Sequence, residues 1–305
     1  PKLEGAMILI TGATGYIGRH LVSRLVEQGE RPRCLVRDTK RAANVLPADK
    51  VELIQGDTTQ PASLKAALNG VETVVHAAFI TADRKQSAGN SYAETNVQGT
   101  SYLVKAAKEA GVKRIVEISG LGTRPDKLGS YMQGRFLAEK MVKDSGLDWT
   151  IIQPSVLFGK GAPFIKGLAD LIRSAPVVPL IGGGSILFQP IYVEDVVTII
   201  LKVLADPTGT NKKTYVIGGP AYYSFTQVID VLLHVMHKSR IKAPAPIPLV
   251  GIGAAVMEAL LPKPPLTKAA MTLFTFNNTT DLQSVERDFG FTPTSFTEYL
   301  QKEGV

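Results

Sequence analysis

Tyr131 and Arg135 lie four residues apart in the stretch "YMQGRFLAEK", which spans residues 131–140. The pattern predicts the start of a helix, and residues four apart on a helix lie one turn apart on the same face. A fixed cation within about 4–6 Å of a phenol favours its ionised form. Tyr131 and Arg135 are therefore candidates for general acid–base chemistry, in which a side chain exchanges a proton with a reacting group.

A glycine-rich turn near the start of the chain is a second candidate for a functional site. In "ITGATGYIGRHLVSRL", glycines recur at every third position between a predicted strand and a predicted helix. Glycines allow a backbone to approach a pyrophosphate closely, and the N–H groups and dipole of a helix N-terminus attract phosphates. The position of the triplet predicts a dinucleotide-binding loop, and a glycine-rich turn without a ligand is the alternative. The predicted contacts are Thr11, Gly12, Thr14, Gly15, Tyr16, Ile17 and Gly18.

The second predicted strand ends in "CLVRDTKRA", where Arg37 is followed by Lys40 and Arg41. An acid at this strand end binds the ribose 2′-hydroxyl of NAD, whereas a guanidinium can hold the 2′-phosphate of NADP in a forked geometry. We therefore expect NADP(H) to be preferred. NAD(H) stays possible because Asp38 follows Arg37, and Arg37 could also be only a solvated charge.

Short apolar runs alternate with helical patterns and must position these residues. The runs are rich in Val and Ile without clean alternation, which is typical of strands buried on both faces. This order predicts an α/β fold, a Rossmann-type doubly wound parallel sheet. Predicted strands are 6–11, 33–37, 51–57, 73–78, 114–119 and 149–154, and predicted helices are 16–28, 61–68, 91–110 and 131–145.

Two regions of different composition predict the domain organisation. We expect residues 1–154 to form the dinucleotide-binding core, with 187–238 adding late strands and helices. Gly/Pro-rich segments mark residues 155–186 and 239–305 as a smaller lobe that binds substrate and forms a lid.

Further segments resemble the short-chain dehydrogenase/reductase superfamily over nearly the whole chain. They are the G-x-x-G-x-x-G spacing, "GDTTQPASL", "VVHAAF", "TNVQGTSYLVKAAKEAGVKRIVEISG" and "WTIIQPSVLFGKG". The "LVRD" strand end and "LPKPPLTKAAMTLFTFNNTTD" are similar to the extended and atypical branch. That branch includes the dinucleotide-binding accessory subunit of respiratory complex I, its bacterial relatives and epimerase/dehydratase-like proteins.

The resemblance implies roles for residues that follow the predicted strands. Asp57 is implied to contact adenine, and the backbone of Pro154 to border the nicotinamide. Tyr131 would exchange a proton with the reacting oxygen, and Ser119 would orient that oxygen. The other implied cofactor-binding residues are Ala77, Ala78, Asn96, Tyr131 and Arg135.

Arg135 departs from the family pattern, which has lysine four residues after the tyrosine. A guanidinium is bulkier and planar, and it cannot lose its proton, so a relay through lysine is blocked. The site is thus expected to be altered. The chain is then an NADP(H)-dependent oxidoreductase for a small or medium, partly apolar substrate, or a non-catalytic NADP(H)-binding structural, assembly or sensor protein. A nucleotide-sugar epimerase or dehydratase fits less well, because such enzymes keep lysine and favour NAD.

The composition of the chain limits the classes of binding partner that we expect. The 305 residues are 45% hydrophobic and 20% charged, with a net charge of +7 but no run of five basic residues. Nucleic-acid binding is not expected. The single cysteine, Cys34, favours a reducing compartment such as the cytoplasm, and no secretory signal or metal cluster is expected. "PIPLVGIGAAVMEALLP" is too short to span a bilayer, so a peripheral membrane contact or a protein partner stays open.

Overall fold

The protein is described by a computed structural model at residues 7–262, 264 and 266–305. Ala6 of the first predicted strand, and Lys263 and Pro265 of the predicted lobe, lie outside the described residues. The strands are β1 Ile8–Thr11, β2 Arg33–Val36, β3 Glu52–Gln55, β4 Thr73–His76, β5 Arg114–Ile118, β6 Asp148–Pro154, β7 Leu157–Phe158, β8 Val177–Ile181, β9 Leu187–Phe188, β10 Ile191–Tyr192, β11 Lys213–Ile217, β12 Tyr223–Ser224 and β13 Ile241–Ala245.

Helices connect these strands. They are α1 Tyr16–Glu27, α2 Thr39–Ala43, α3 Pro61–Ala67, α4 Gly99–Glu109, α5 Tyr131–Lys143, α6 Pro163–Ser174, α7 Val193–Ala205, α8 Phe225–Val235, α9 Ile247–Leu260, α10 Ser284–Phe289 and α11 Phe296–Glu303. A π-helical segment covers Tyr92–Gln98, and short 3-10 helices cover Gly182–Gly184 and Ala270–Phe274.

Seven strands form the main sheet in the order β11-β6-β5-β4-β1-β2-β3. The pairs from β1 to β6 are parallel, as the predicted strand–helix alternation requires. The chain order reverses between β1 and β4, and ligands of doubly wound sheets bind at such a reversal. The predicted Rossmann-type fold is confirmed.

The sheet is held by an apolar layer on one side. Buried side chains of the central strands, among them Leu9 and Ile115, pack against Leu64 of α3, Leu103 of α4 and Val142 of α5. The helices that carry the predicted chemistry are thereby fixed against the strands that end beside them.

A buried arginine, Arg114, anchors the N-terminal end of β5. Arg114 donates hydrogen bonds to the carbonyl of Val203 and to the hydroxyls of Thr150 and Thr210, at 3.0, 2.7 and 2.6 Å. Burial lowers its pKa, and Asp148 among other charges opposes that shift. These bonds anchor the strand whose other end leads to Ser119.

The predicted helix 91–110 begins differently from the expectation. Tyr92–Gln98 forms a π-helical segment, which Ser91 and Glu94 open with a capping box, and regular α-helix starts only at Gly99. Single π turns inside helices are often found at functional sites. Asn96, one of the predicted site residues, lies in this segment.

The described residues form two compact units. The first contains residues up to Ile80, Gln86–Gln153 and Val196–Tyr215, and the second contains Thr81–Lys85, Pro154–Asp195 and Val216–Val305. Of the 187–238 region that we assigned to the core, residues 187–195 and 216–238 group with the second unit. The reason for the later segment is that α8 packs against α6 and α11.

α9, within the apolar stretch noted in the sequence, is 14 residues long. Among the described residues, no helix has the length and apolar character that crossing a bilayer requires. The predicted substrate-binding role of the second unit stays a prediction.

Candidate functional site

The glycine-rich loop closes on itself. Gly12 leaves β1 with φ of +71°, and the N–H of Gly15 donates to the Gly12 carbonyl at 2.9 Å. A Cβ on Gly12 would lie 2.4 Å from the Ala77 carbonyl oxygen, and one on Gly18 would lie 2.2 Å from that of Gly12. Both glycines are therefore required by the packing of the loop itself.

Gly15 has a different surrounding. A Cβ there would meet only the Gly12 carbonyl oxygen, at 3.0 Å, and Gly15 is the N-cap of α1. No side chain among the described residues caps this helix, and its first turn contains no acid. The positive end of the helix dipole is thus left for an anion. The loop fits a dinucleotide pyrophosphate.

Gly15→Ala is expected to weaken binding of NADPH by about tenfold or more, because the added methyl occupies the space a phosphate needs. The free energy of unfolding of the cofactor-free protein should change by less than about 1 kcal/mol. Fluorescence titration with NADPH and urea denaturation measure the two quantities. Gly18→Ala is the matched control and should destabilise the fold itself. A Gly15→Ala protein with unchanged NADPH affinity would contradict the assignment.

The cations after β2 are exposed. The side chains of Arg37, Lys40 and Arg41 form no ion pair with any residue that the structure describes. Asp38 accepts a hydrogen bond from the backbone N–H of Arg41 at 2.9 Å and so caps α2. One oxygen of Asp38 is therefore engaged by the protein, while the cations stay available to a phosphate.

The predicted adenosine-side residues lie after β3 and β4. Asp57 Oδ1 accepts bonds from the N–H and the hydroxyl of Thr59, both at 2.9 Å. The N–H of Ala77 donates to Thr11 at 3.2 Å, and Ala78 follows. These contacts bring the chain after β4 against the glycine loop.

Asn96 is fully buried, and its amide is engaged at both ends. Its oxygen accepts from the Ile80 N–H at 2.8 Å, and its nitrogen donates to the Ile80 carbonyl at 3.1 Å. Asn96 therefore shapes the segment after β4. Its direct contact with a cofactor stays a prediction, as does that of Pro154, which is buried as the last residue of β6.

Tyr131 and Arg135 are in contact at the start of α5, which Ser130 caps. Arg135 Nε donates to Tyr131 Oη at 3.2 Å, and Nη1 donates to the Ile118 carbonyl at 2.9 Å. The guanidinium also lies over the Phe79 ring, 4.5 Å from its centroid, and Arg135 is only 5% exposed. Hydrogen bonds and a cation–π contact thus fix the orientation of Arg135 beside the phenol.

Ser119, the third predicted catalytic residue, contacts a side chain that the sequence interpretation missed. Its hydroxyl donates to Glu139 Oε1 at 2.5 Å, and Gln153 Nε2 donates to the same oxygen at 2.7 Å. Lys143 Nζ lies 3.5 Å from Oε2. The signal for Glu139 was present, because Tyr131, Arg135, Glu139 and Lys143 recur at every fourth position of one helix. Gln153 had no such signal.

Glu117 is buried on β5 between these groups. Neither carboxyl oxygen has a hydrogen-bond partner among the described residues. Burial raises the pKa of Glu117 to about 8, and the neighbouring Glu139 adds to that rise, while Arg135 and Lys143 oppose it. Glu117 is therefore a neutral carboxylic acid at pH 7.

His76 is held as a neutral imidazole on β4. Thr100 donates its hydroxyl proton to the Asn96 carbonyl at 2.7 Å, so His76 Nε2 donates to Thr100, at 2.9 Å. Nδ1 then accepts from the Thr11 hydroxyl at 2.7 Å. Burial and then Arg135 lower the pKa of His76 to about 3. The residue therefore packs within the sheet.

The cysteine Cys34 is buried. Burial raises the pKa of the Cys34 thiol to about 12. No group of three or more potential metal-ligating side chains occurs among the residues that the structure describes.

Known proteins are similar to this chain in sequence. A family described as NAD(P)H-binding matches residues 12–166. The NAD(P)H azoreductase of Xenophilus azovorans is 31% identical over 74% of this chain and 72% of its own. The mitochondrial NADH dehydrogenase [ubiquinone] 1 alpha subcomplex subunit 9 of Arabidopsis thaliana is 24% identical over 90% of this chain and 68% of its own.

A solved structure has a fold similar to that of this chain. The Citrobacter sp. triphenylmethane reductase complexed with NADP(H) has a TM-score of 0.76 and 19% identity, covering 98% of this chain and all of that one. The chain belongs to the NAD(P)H-binding family of the atypical short-chain dehydrogenase/reductase type.

Proposed function

We propose that the protein is an NADP(H)-dependent oxidoreductase that acts on a small or medium, partly apolar substrate. The observation that carries the proposal is the bond from Arg135 Nε to Tyr131 Oη. This bond holds a cation other than lysine against the phenol that the family resemblance implies to be the proton donor. The nicotinamide would supply or accept the hydride when bound.

Arg135 determines how Tyr131 can act. Because the phenol oxygen accepts a bond from Nε, its own proton is left for a different partner. Tyr131 can donate that proton in a hydrogen bond to the reacting substrate oxygen, and the nearby cation favours negative charge that develops there. Arg135 Nη2, which has no partner among the described residues, is the remaining donor for the ribose of the cofactor.

The similar proteins include reductases and a complex I subunit, and these two kinds of protein support two different candidate functions. Two of them are reductases, and their chemistry agrees with a working hydride-transfer site. The complex I subunit supports the second candidate, a non-catalytic NADP(H)-binding structural, assembly or sensor protein. The observation that favours this second candidate is that Arg135 uses Nη1 on the Ile118 carbonyl rather than keeping it for a ligand. A reducing compartment, such as the cytoplasm, suits both.

Turnover with a panel of substrates tests the proposal. We expect the purified protein to oxidise NADPH in the presence of at least one class among ketones, quinones and azo dyes, measured by the loss of NADPH absorbance. The same panel with NADH should react more slowly. Tight NADPH binding without oxidation by any of these compounds would contradict the oxidoreductase and favour the non-catalytic candidate.

Arg37→Ser is expected to lower the preference for NADPH over NADH by about 10–100-fold, because it removes the forked donor for the 2′-phosphate. Fluorescence titrations with both cofactors give the ratio of the two dissociation constants. Arg31→Ser is the matched control, since Arg31 is an exposed arginine before the opposite end of β2. An unchanged ratio in the Arg37 variant would show that other groups select the cofactor.

A further inference from the structure

The hydroxyl proton of Ser119 is already committed within the protein. A serine has one O–H to donate, and that of Ser119 points to Glu139 Oε1 at 2.5 Å, the length of a charge-assisted bond to a carboxylate. Thr123, 3.3 Å from the same hydroxyl, donates its own proton to the Gly120 carbonyl at 2.7 Å. Ser119 therefore offers a substrate its lone pairs and not a proton.

Glu139 has the contacts of an ionised carboxylate. Two donors, Ser119 and Gln153, share Oε1, and the ammonium of Lys143 lies beside Oε2. Glu139 itself is 4% exposed, whereas the side chain of Lys143 is 39% exposed. The buried carboxylate thus links the buried serine to a partly exposed ammonium.

A proton route through Ser119 and Glu139 is relevant because Arg135 replaces the lysine of the family pattern. A lysine in its place could pass a proton onward, but a guanidinium stays protonated in proteins. Arg135 is moreover fixed by its bonds to Tyr131 and Ile118. The site therefore requires another route by which the proton of the reacting oxygen reaches solvent.

We propose that Ser119 and Glu139 form a proton-transfer pair that takes over the task of the missing lysine, with Glu139 as a positioning residue that acts through Ser119. The inference rests on the proposed oxidoreductase function and deepens it. It predicts that the reacting group is an alcohol in the reduced form, whose O–H is donated to Ser119.

Oxidation of such an alcohol would involve one hydride transfer and one proton transfer. Tyr131 donates a hydrogen bond to the alcohol oxygen, and the alcohol donates its own proton towards Ser119 Oγ. A bound oxidised nicotinamide would accept the hydrogen and electron pair of the breaking C–H bond as hydride, and the C=O bond would form. Ser119 Oγ gains the alcohol proton as its original proton moves to Glu139 Oε1. Glu139, now a carboxylic acid, releases the proton to solvent on the Lys143 side, and reduction runs the same steps in reverse.

The neighbouring carboxyl group supports this assignment. Burial raises the pKa of Glu117 to about 8, and the charge of Glu139 contributes to the rise. The cluster thus already holds one carboxylic acid at neutral pH beside the carboxylate.

Substitution of both members tests whether they act together. Glu139→Gln and Ser119→Ala are each expected to lower kcat with the most active ketone of the panel by about 10²–10³-fold. The kcat of the double variant should be no lower than that of the less active single variant, because the effects of residues that act as a unit are not additive. The dissociation constant for NADPH should change by less than about threefold, and Glu139→Asp should recover part of kcat. Lys140→Gln, which changes an exposed residue of α5, is the control and should match the wild type.

A second measurement does not need turnover. The infrared carbonyl stretch of a protonated carboxylic acid is separate from that of carboxylates. At neutral pH, Glu117→Gln should remove such a band and Glu139→Gln should not. A carboxylic-acid band that Glu117→Gln keeps and Glu139→Gln removes would show that Glu139 is protonated and would overturn the hydrogen-bond direction from Ser119.

The outcomes separate this inference from the proposed function. Normal turnover by Glu139→Gln, or multiplied losses in the double variant, would overturn the proton-transfer pair while the oxidoreductase stands. Absence of turnover by the wild type on the whole panel would overturn the oxidoreductase and the pair's catalytic role together. The infrared result would then still decide the ionisation of Glu139.

Discussion

Tyr131→Phe is expected to lower kcat for NADPH-linked reduction by about 10²–10³-fold, the usual effect of removing one hydrogen-bond donor to a developing oxyanion. Affinity for NADPH should stay within about threefold of wild type, since the phenol ring and its contact with Tyr92, at 5.5 Å between centroids, are kept. Steady-state kinetics and NADPH fluorescence measure both. Because the loss falls on kcat, it reports an interaction made in the transition state.

Two further variants make this prediction sharper. Tyr102→Phe removes a hydroxyl from α4 and should leave kcat unchanged. Arg135→Lys keeps the charge, but one ammonium cannot reproduce the fork that joins Tyr131 and Ile118, so we expect an intermediate loss of about tenfold. A Tyr131→Phe protein as active as the wild type would exclude the phenol from the chemistry.

Glu117→Gln is expected to stabilise the fold by several kcal/mol at pH 8. The pKa of Glu117 is about 8 in the folded protein, against an ordinary value of 4.5 for a glutamate side chain. A raised carboxyl pKa gives stability that is complete below the unfolded value and is lost as the pH rises through the folded one. The window is therefore about pH 4.5–8, and at about 1.4 kcal/mol per unit the loss approaches 4–5 kcal/mol. A neutral amide does not ionise and avoids it.

Urea denaturation of both proteins at pH 5, 6.5 and 8 measures this difference. The contribution of His76, whose pKa is lowered to about 3, is common to both and cancels. Glu109→Gln, at an exposed position of α4, is the control and should follow the wild type across the pH range. Parallel stability curves for Glu117→Gln and wild type would contradict a buried neutral carboxyl.

Local pattern was sufficient for the sheet and its first loop. Strand β1 is an apolar run, and β1 and β5 are buried along their whole length, as in a sheet covered on both faces; Gly12 and Gly18 are required where the chain turns. The helix spacing also predicted the contact of Tyr131 with Arg135. These features depend on residues close in sequence.

Features that depend on tertiary contacts could not be predicted in the same way. The π-helical segment before α4 accompanies the bonds of Asn96 to Ile80, 16 positions away. The contact of Glu139 with Ser119 and Gln153 requires the order of β5 and β6 beneath α5. The placement of α8 in the second unit likewise follows from its packing partners and not from its own amphipathic pattern.

The self-closed glycine loop has a consequence for the energetics of ligand capture. Its turn is maintained by the bond from Gly15 to Gly12 and by the close approach of Gly12 to Ala77, all of which exist within the chain itself. A receptor segment that is already in its final shape loses little conformational entropy on association, so more of the contact energy appears as affinity. Dinucleotide binding should then resemble a rigid-body encounter, with an association rate limited by diffusion and orientation rather than by loop ordering.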